Sequence, residues 1–205
     1  MPRNKIHWYD GWFYDTVIAP HQDKLFGQIK NLIEPDKNVI DIGCGTGRLA
    51  FALAGTSKSV MGIDLSKRNI RQATKILNRQ SNRNVSFRHT SVSELLEKHT
   101  PRFDYAIMTY VIHEVAEKER IGLLRDLSQI ADKIIIGDYW VPAPGRFDSA
   151  FTRMIEFVAG PDHFRNFKNY VRLGGVEYLA KAAGLRIVHE LRFPEENNHV
   201  VLLRI

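Results

Sequence analysis

The segment VIDIGCGTGRLA, residues 39–50, constrains the fold of this chain more than any other stretch. An apolar run that contains Asp41 leads directly into Gly43, Gly45 and Gly47, which stand at alternate positions. Glycine at a strand-to-helix turn permits positive φ angles and lets the backbone approach a ligand closely, and the helix that follows offers unpaired N–H groups. The segment therefore predicts a strand, a ligand-binding turn and a helix, with a carboxylate beside the ligand.

The spacing of these glycines argues against a dinucleotide site. Dinucleotide-binding folds carry G-x-G-x-x-G/A, whereas this chain has G-x-G-x-G and places Arg48 where that fingerprint has its last small residue. A carboxylate at Asp41 disfavours a pyrophosphate, but it suits a ligand that bears an amine and a positive charge. The alternative is a glycine turn that serves only the fold.

Apolar bursts alternate with amphipathic stretches along most of the chain, which is typical of βαβ units around a parallel sheet. Most of the predicted strands are short and apolar on both faces, as a buried parallel sheet requires. They are Asn38–Ile42, Ser59–Ile63, Val85–His89, Phe103–Thr109 and Lys133–Asp138.

Helical spacing fills the stretches between these strands, with Ser66 and Ser93 as predicted caps. The C-terminal part predicts a helix that ends at Gly184, followed by the strands Leu185–Arg192 and Val200–Ile205. The short, turn-rich PEENN between them predicts antiparallel pairing.

Two of these motifs resemble a known family. VIDIGCGTG, followed by VMGIDLS with Asp64 at the end of the second strand, closely resembles the class I S-adenosylmethionine-dependent methyltransferases. The resemblance runs from about Val39 through Asp138 by motif and element order, and the final hairpin is similar to the antiparallel sheet edge of that family. It implies a single α/β domain over residues 1–205, with a Rossmann-like doubly wound sheet that is mostly parallel, an antiparallel C-terminal hairpin strand, and helices on both faces.

The resemblance also implies a cofactor site for S-adenosyl-L-methionine and its product S-adenosyl-L-homocysteine, with no metal. The glycine turn would hold the methionine and ribose portion, Asp41 would help to position the amino group, and Asp64 would accept both ribose hydroxyls, since ionised aspartate only accepts hydrogen bonds. Many members have an acidic residue near the adenine amino group where this chain has Ser91, so the adenine would depend more on the Val92 backbone. The cofactor-binding residues implied in this way are Tyr14, Asp41, Gly43, Cys44, Gly45, Gly47, Asp64, Leu65, Ser91, Val92 and Thr109.

The segment FDYAIMTYVIHEV resembles the fourth motif of the same family, which implies that Thr109, Tyr110 and Val111 lie near the transferred methyl group. His113 and Glu114 follow on the next loop or helix start. Histidine accepts a proton near neutral pH, so His113, flanked by Tyr110 and Glu114, is predicted to act as a base or to bind the substrate. The alternative is a polar cluster at the start of a helix.

Two aromatic segments are predicted to cover the site. The N-terminal HWYDGWFYD resembles the lid that some family members place over the cofactor, which implies a helical lid segment over residues 1–30, with Tyr14 as its best candidate and cation–π attraction for a sulfonium. These aromatic residues would otherwise be core anchors. Residues 142–173 are long, aromatic and interrupted by prolines and glycines, and are predicted to be an insertion that covers the acceptor site or caps the sheet.

Composition narrows the class of protein. A chain of 205 residues with 44% hydrophobic and 25% charged residues fits one globular domain. The single cysteine, Cys44, excludes an internal disulfide and a multi-cysteine zinc site. No apolar run approaches the roughly 20 residues that span a bilayer, and the N-terminus lacks the apolar core of a signal peptide, so we expect a cytoplasmic protein.

The net charge of +6 is concentrated in one segment. Between Asp64 and Glu94 the chain has seven basic residues and no acidic one, so the remainder is close to neutral. RNA and an anionic membrane surface are candidate partners for this basic helix, residues 67–79, and a solvated helix face is the alternative. The residues that share one helical face at spacings of three and four are Arg68, Arg71, Lys75 and Arg79.

The fourth segment contains neither the Asn/Asp-Pro-Pro-aromatic motif of amino-directed DNA methyltransferases nor the Pro-Cys nucleophile of cytosine carbon-5 enzymes. The first hypothesis is in-line methyl transfer to a small or lipid-like molecule. An RNA-directed enzyme that uses residues 67–79 is the second, and a non-catalytic cofactor-binding subunit is the third. Resemblance at the level of the fold does not choose the acceptor or the oligomeric state.

Overall fold

The computed structural model describes residues 19–80, 82–141, 161–195 and 197–205, and these contain one seven-stranded sheet. Its strands are β1 Asn38–Ile42, β2 Ser59–Asp64, β3 Val85–His89, β4 Phe103–Thr109, β5 Ala131–Tyr139, β6 Arg186–Phe193 and β7 Asn198–Arg204. The spatial order is β3-β2-β1-β4-β5-β7-β6. Strands β1 to β5 pair in parallel, whereas β7 runs antiparallel to both β5 and β6. The predicted α/β fold class and the antiparallel hairpin are confirmed.

Helices cover both faces of this sheet. They are α1 Ala19–Asn31, α2 Arg48–Leu53, α3 Lys67–Leu77, α4 Val92–Glu97, α5 Glu117–Ile130, α6 Pro161–Leu173 and α7 Gly175–Ala183. One apolar cluster joins the sheet to α1 and α2, and a second joins the opposite face to α4, α5 and α7. Within the described ranges, no helix is long and apolar enough to cross a membrane.

The predicted strand positions hold to within two residues at either end. Ser66 caps α3 as predicted, because its side chain accepts a hydrogen bond from the Asn69 N–H. The prediction for the next helix was wrong: Ser91, not Ser93, caps α4, and its hydroxyl accepts from the Glu94 N–H at 3.2 Å. Ser93 lies in the first turn with its side chain exposed, where no N–H group needs a cap from it.

Helix α1 packs closely against the centre of the sheet. Its Leu25, Phe26 and Ile29 are buried, and Leu25 and Ile29 lie against Gly137 of β5. A Cβ atom at Gly137 would stand 3.0 Å from Leu25 Cδ2, so the absence of a side chain there sets the distance between helix and strand. Residues 19–30 of the predicted lid segment therefore belong to this core helix, whereas Tyr14 and the aromatic cluster before it lie outside the described residues.

The second predicted cover, residues 142–173, falls partly within the structure. Residues 142–160 lie outside the described residues. Helix α6 forms the remainder, and Phe167 and Tyr170 on it are buried. These two rings contact the loop after β4, as described below.

The Gly137 contact generates a stability prediction. Gly137→Ala should lower the free energy of unfolding by about 1 to 3 kcal/mol, because the new methyl group overpacks the α1–β5 contact. Gly122→Ala is the matched control: Gly122 is exposed in α5 with open space at its Cβ position, so the change should stabilise the protein by about 0.5 to 1 kcal/mol. Urea unfolding of the two variants measures both values, and equal effects would contradict the packing described.

Candidate functional site

The loops after β1 and β4 leave the sheet at the point where the strand order reverses. In open parallel sheets, ligands bind in the crevice at the carboxyl ends of the strands at this position. The turn after β1 is fixed to β2, because the N–H groups of Gly43 and Cys44 both donate to the Ile63 carbonyl, at 2.8 and 3.0 Å. The crevice therefore has one rigid wall.

The three glycines of this turn have positive φ angles but different surroundings. A Cβ atom at Gly43 would stand 2.5 Å from Val111, and one at Gly47 would stand 2.4 Å from the ring of Phe87. At Gly45 the same construction meets open space within 4 Å. Two of the glycines are therefore required by protein side chains, and Gly45 is the one whose missing side chain leaves room for a ligand.

Asp64 connects the glycine turn to the start of α3. One carboxylate oxygen accepts from the Gly45 N–H at 2.9 Å and, at the longer distance of 3.5 Å, from the Asn69 side-chain amide, and the other accepts from the Ser66 N–H at 2.6 Å. The residue is half-buried, and a carboxylate offers about four acceptor positions, so a ribose hydroxyl finds room beside these bonds, and a second would replace the long Asn69 contact. The neighbouring Leu65 is 57% exposed, so its side chain is accessible to an apolar face of a ligand.

Asp41 is the most unusual group of the site. Its side chain is only 1% exposed, and neither carboxylate oxygen has a hydrogen-bond partner among the described residues. Burial, reinforced by the negative charge of Asp64, raises the pKa of Asp41 to about 8. Burial also raises the pKa of the adjacent Cys44 thiol, so that this cysteine stays protonated and unreactive at neutral pH.

Ser91 and Val92 lie at the start of α4, at the far end of the crevice beyond β2. The Ser91 hydroxyl already serves as the helix cap, and Thr90 donates to the Glu94 carboxylate at 2.6 Å. A hydroxyl that accepts one hydrogen bond still has a proton to donate and a second lone pair. An adenine contact at Ser91 is compatible with this geometry, while Val92 contributes a buried side chain to the floor.

The loop after β4 begins with a strained residue. Tyr110 has a φ angle of +55°, which is unusual for a non-glycine residue, and its N–H donates to the Gly137 carbonyl at 2.8 Å. Its hydroxyl donates to Asn198 at 2.7 Å, and its ring lies 5.4 Å from that of Tyr139. The bend at Tyr110 redirects the chain, so that Thr109 ends the strand while Val111 lies against Gly43.

His113 forms a buried pair with Asp138. The imidazole Nδ1 lies 2.7 Å from the Asp138 carboxylate, and both side chains are almost completely buried. The Tyr139, Phe167 and Tyr170 rings surround the imidazole at centroid distances of 5.0, 5.8 and 6.3 Å. Burial opposes protonation, but the charge and the hydrogen bond of Asp138 outweigh it and raise the pKa of His113. The arrangement orients one ring nitrogen toward Asp138 and the other, Nε2, toward the Glu114 carboxylate.

Glu114 lies beside this pair but on its exposed side. Its carboxylate is 3.9 Å from His113 Nε2, and about half of its side chain is exposed. Its backbone carbonyl accepts from Asn166 of α6 at 2.9 Å, so the residue also contributes to the contact between the loop and that helix. The structure thus brings the three predicted catalytic residues, Tyr110, His113 and Glu114, into one loop.

Arg120 was missed in the sequence, although it organises this loop. Its side chain is fully buried in α5, and its guanidinium lies 5.6 Å from the ring of Tyr170. It joins the loop after β4 to α6 through the carbonyls of Val115 at 2.8 Å, His113 at 3.1 Å and Asn166 at 2.6 Å, and through Asn169 Oδ1 at 3.2 Å. The signal was present in the spacing, because Arg120 shares the buried stripe of α5 with Leu124 and Leu127.

Asp138 was also missed as a site residue, although its strand was predicted. It follows the apolar run IIIG at the carboxyl end of β5, next to β4, and a polar residue that ends a buried strand at this edge of the sheet is a usable signal. Among the described residues, Glu177, Glu190 and His199 form a group of metal-ligand types on α7, β6 and β7. Arg192 donates to both of these carboxylates, so the group is an ion-pair network remote from the glycine turn.

The residues of the glycine turn fit a nucleoside that carries an amino acid. Asp41 provides an unpaired carboxyl for an ammonium group, the position beside Gly45 is open, and Asp64 provides a half-buried acceptor for hydroxyl groups. S-adenosylmethionine carries groups that match these three positions: an ammonium group, an extended chain that needs room, and two ribose hydroxyls. It also carries a sulfonium. The site was predicted from the motifs, and the unpartnered state of Asp41 is the independent structural observation that fits it.

The sequence of this chain is similar to those of known proteins. Residues 33–156, more than half of the chain, match a family model described as a methyltransferase domain. A ubiquinone biosynthesis O-methyltransferase of Thiobacillus denitrificans is 33% identical over 81 residues, which cover 40% of this chain and 34% of that protein. An uncharacterized RNA methyltransferase of Mycoplasma mobile is 28% identical over 112 residues, which cover 54% of this chain and 28% of that protein. The chain spans about a third of the length of these curated relatives.

Among solved structures, the fold is similar to that of the N-methyltransferase NodS from Bradyrhizobium japonicum in complex with S-adenosyl-L-homocysteine. The TM-score is 0.65 at 16% sequence identity, and the alignment covers 95% of this chain and 91% of that chain. This similarity concerns the fold, and it agrees with the resemblance inferred from the motifs.

The two carboxylates of the turn should respond oppositely to neutralisation. Asp41 has a raised pKa, so its contribution to stability is present below its ordinary value of 3.8 and is lost as the pH rises toward about 8. Asp41→Asn should therefore stabilise the cofactor-free protein at pH 9 by about 1 to 3 kcal/mol, because it removes a buried unpaired charge. Asp64→Asn should destabilise it by about 1 to 3 kcal/mol, because two N–H groups lose a charged acceptor. Urea unfolding at pH 9 measures both, and a loss of stability in both variants would contradict this description of Asp41.

Proposed function

Because the chain belongs to the methyltransferase domain family, whose methyl donor is S-adenosylmethionine, we propose that it transfers that methyl group to a small or lipid-like molecule. The observation that supports the cofactor is the buried, unpartnered carboxyl of Asp41 beside the glycine turn. The observation that supports catalysis is the enclosed His113–Asp138 pair on the loop after the neighbouring strand.

We assign the parts of the cofactor to the groups that suit them. Asp41, when ionised, binds the ammonium group, and Asp64 accepts the two ribose hydroxyls. Leu65 and Val92 provide apolar contacts for the adenine, and Ser91 provides one hydrogen bond. The glycine turn, with the backbone of Cys44, and Thr109 border the methionine portion, and a lid role for Tyr14 is part of the same proposal.

When bound, S-adenosylmethionine supplies a methyl group on a positively charged sulfur, and its transfer is an in-line displacement. The protein accelerates such a reaction by aligning donor and acceptor and by excluding water. His113 adds a base where the acceptor arrives protonated: Asp138 holds Nδ1–H, so that Nε2 takes the proton of an acceptor hydroxyl or amine. Tyr110 and Glu114 flank the imidazole and contact the acceptor.

The surroundings of His113 favour a small or lipid-like acceptor. The rings of Tyr139, Phe167 and Tyr170 offer an apolar, aromatic wall, and small-molecule sites are lined in this way with few polar groups. The similarity to an O-methyltransferase supports an oxygen nucleophile. An RNA acceptor is the second candidate, and the observations that favour it are the basic segment after Asp64 and the similarity to an RNA methyltransferase.

A transfer experiment tests the acceptor. Protein and S-adenosylmethionine labelled on the methyl group are incubated with fractionated cell extract, before and after nuclease treatment. We expect label in a low-mass or lipid fraction that nuclease does not change. Label in nuclease-sensitive material would establish the RNA acceptor instead, and cofactor binding without transfer to any fraction would support a non-catalytic subunit.

His113 is tested in the same assay. His113→Gln should reduce transfer roughly 100- to 10,000-fold, the range for loss of a general base, and leave cofactor affinity unchanged. His189→Gln, which changes an exposed histidine of β6, is the control and should have no effect. Unchanged transfer in His113→Gln would contradict the proposed base.

The pH dependence separates the role of Asp138 from mere packing. A base must be unprotonated, so the rate should rise as the pH passes the pKa of His113, which Asp138 raises above its ordinary value. Asp138→Asn removes the negative charge and should move the rising limb of the pH–rate profile to lower pH, as well as the imidazole titration followed by NMR. A limb that stays in place would contradict the coupling.

A further inference from the structure

The surface along α3 and the segment that follows it carries a set of cations. All seven basic side chains between Asp64 and Glu94 are exposed, and no acidic residue stands between them in the sequence. Five are arginines, the side chain best suited to bind phosphate groups in a bidentate manner. We name the surface along α3 the α3 cationic face; its residues are Lys67, Arg68, Arg71, Lys75, Arg79 and Arg83. Arg88 of β3 is not part of it, because it alternates with Phe87, which packs on the α3 side of the sheet.

The charges of this face work against the helix that carries them. Lys67 and Arg68 stand in the first turn of α3, where the helix dipole favours acidic residues, and no acidic residue is present there. The pairs Lys67–Arg71 and Arg71–Lys75 place like charges four positions apart within the helix, which destabilises it further, whereas Lys75 in the last turn suits the dipole. Because this charge pattern lowers the stability of the helix, it indicates a role other than folding.

The inner side of α3 accounts for its attachment to the sheet. Ile70 and Ala73 are buried, and the Ser66 side chain caps the helix. The apolar side of α3 thus packs within the domain and is not available for insertion into the apolar interior of a membrane. Binding at this face therefore depends on charge. The cations can therefore be replaced without loss of the packed core.

We propose that the α3 cationic face docks on an anionic phospholipid bilayer. Clusters of four to eight Lys and Arg residues on one helix surface bind anionic membranes, and the row of cations on α3 from Lys67 to Lys75 is about 12 Å long, with Arg79 just beyond the helix end. Single-stranded RNA is bound by cationic grooves that add exposed aromatic rings for base stacking. In the described part of residues 65–93, the one aromatic residue is Phe87, whose ring packs against Phe51 at 5.3 Å and beneath Gly47. The described part of this segment therefore offers phosphate contacts but no exposed phenylalanine, tyrosine or tryptophan for base stacking.

The docking has a consequence for the site. Helix α3 begins directly after Asp64 and Leu65, so a bilayer that contacts its first turn lies near the adenosine end of the crevice. A lipid-like acceptor is concentrated at that same surface. Docking is nevertheless a binding property that exists apart from methyl transfer, so it can be measured without any acceptor.

Vesicle sedimentation tests the proposal. The full chain is mixed with vesicles of phosphatidylcholine that contain phosphatidylglycerol, and with vesicles of phosphatidylcholine alone. The triple variant Arg71→Gln, Lys75→Gln, Arg79→Gln should bind the anionic vesicles about 100-fold more weakly, since each cation at such a surface contributes a factor of about five. The control Lys118→Gln, Lys181→Gln, Arg186→Gln removes three exposed charges from elsewhere and should bind like the wild type. Cofactor affinity should be the same in all three proteins, which separates this result from the fate of the proposed function.

The supporting result is binding to anionic vesicles alone, weakened by salt and lost selectively in the α3 variant. Equal losses in the two triple variants would overturn the proposal, because they would show that net charge and not this face is responsible. Absence of wild-type binding to anionic vesicles would also overturn it. A single-stranded RNA that displaces the protein from the vesicles at equal phosphate concentration would assign the face to RNA and overturn the bilayer as its partner.

Discussion

The site depends on a buried carboxyl that has no hydrogen-bond partner in the described part of the chain. Asp41 lies in the central strand β1, where neighbouring strands on both sides and the glycine turn above exclude water. A charge in such a place is unfavourable, and the raised pKa of Asp41 is the expression of that cost. An ammonium group from a ligand would allow the carboxylate to ionise. The glycine turn, the position of Asp64 and the open space at Gly45 all surround the place where that ligand would lie.

Two polar centres meet at the reversal of strand order. The glycine turn carries the groups that we propose bind the cofactor, and the loop after β4 carries His113, which lies against Asp138 of β5. Val111 joins them, because its side chain lies against Gly43 while its carbonyl accepts from the Glu114 N–H at 3.0 Å. Arg120 fixes the loop from the other side by binding both its carbonyls and those of α6. The proposed donor and acceptor sites are therefore held by one continuous set of contacts.

The sequence predicted those features that depend on local pattern. Strand positions followed from short apolar runs, whereas the roles of Asp41 and Asp64 were implied by the family resemblance of two motifs and stay predictions. Features that depend on distant partners were not predicted: Arg120 is in the stretch EKERIGLLRD, where an arginine is usually solvated, and its partners on α6 lie more than forty residues away. The choice between Ser91 and Ser93 as cap was likewise wrong, because both precede the same amphipathic stretch and the end of β3 decides between them.

The glycines illustrate the same limit. The sequence indicated a ligand at all three positions, whereas the structure shows that Val111 and Phe87 require Gly43 and Gly47. Neither contact is visible in the motif, since each partner comes from a different strand or loop. Ligand binding and packing are thus both encoded in one short segment, and only the three-dimensional arrangement separates them.

The most direct test of the account is the proton released when the cofactor product binds. At pH 7 the Asp41 carboxyl, with its pKa of about 8, is mostly protonated, and binding an ammonium group requires it to ionise. Calorimetric titration with S-adenosyl-L-homocysteine in two buffers of different ionisation enthalpy should therefore show release of about one proton per molecule bound, and Asp41→Asn should abolish that release and weaken binding. Equal binding enthalpies in the two buffers for the wild-type protein would contradict the claim that Asp41 is protonated in the cofactor-free protein and ionises when the amino group binds.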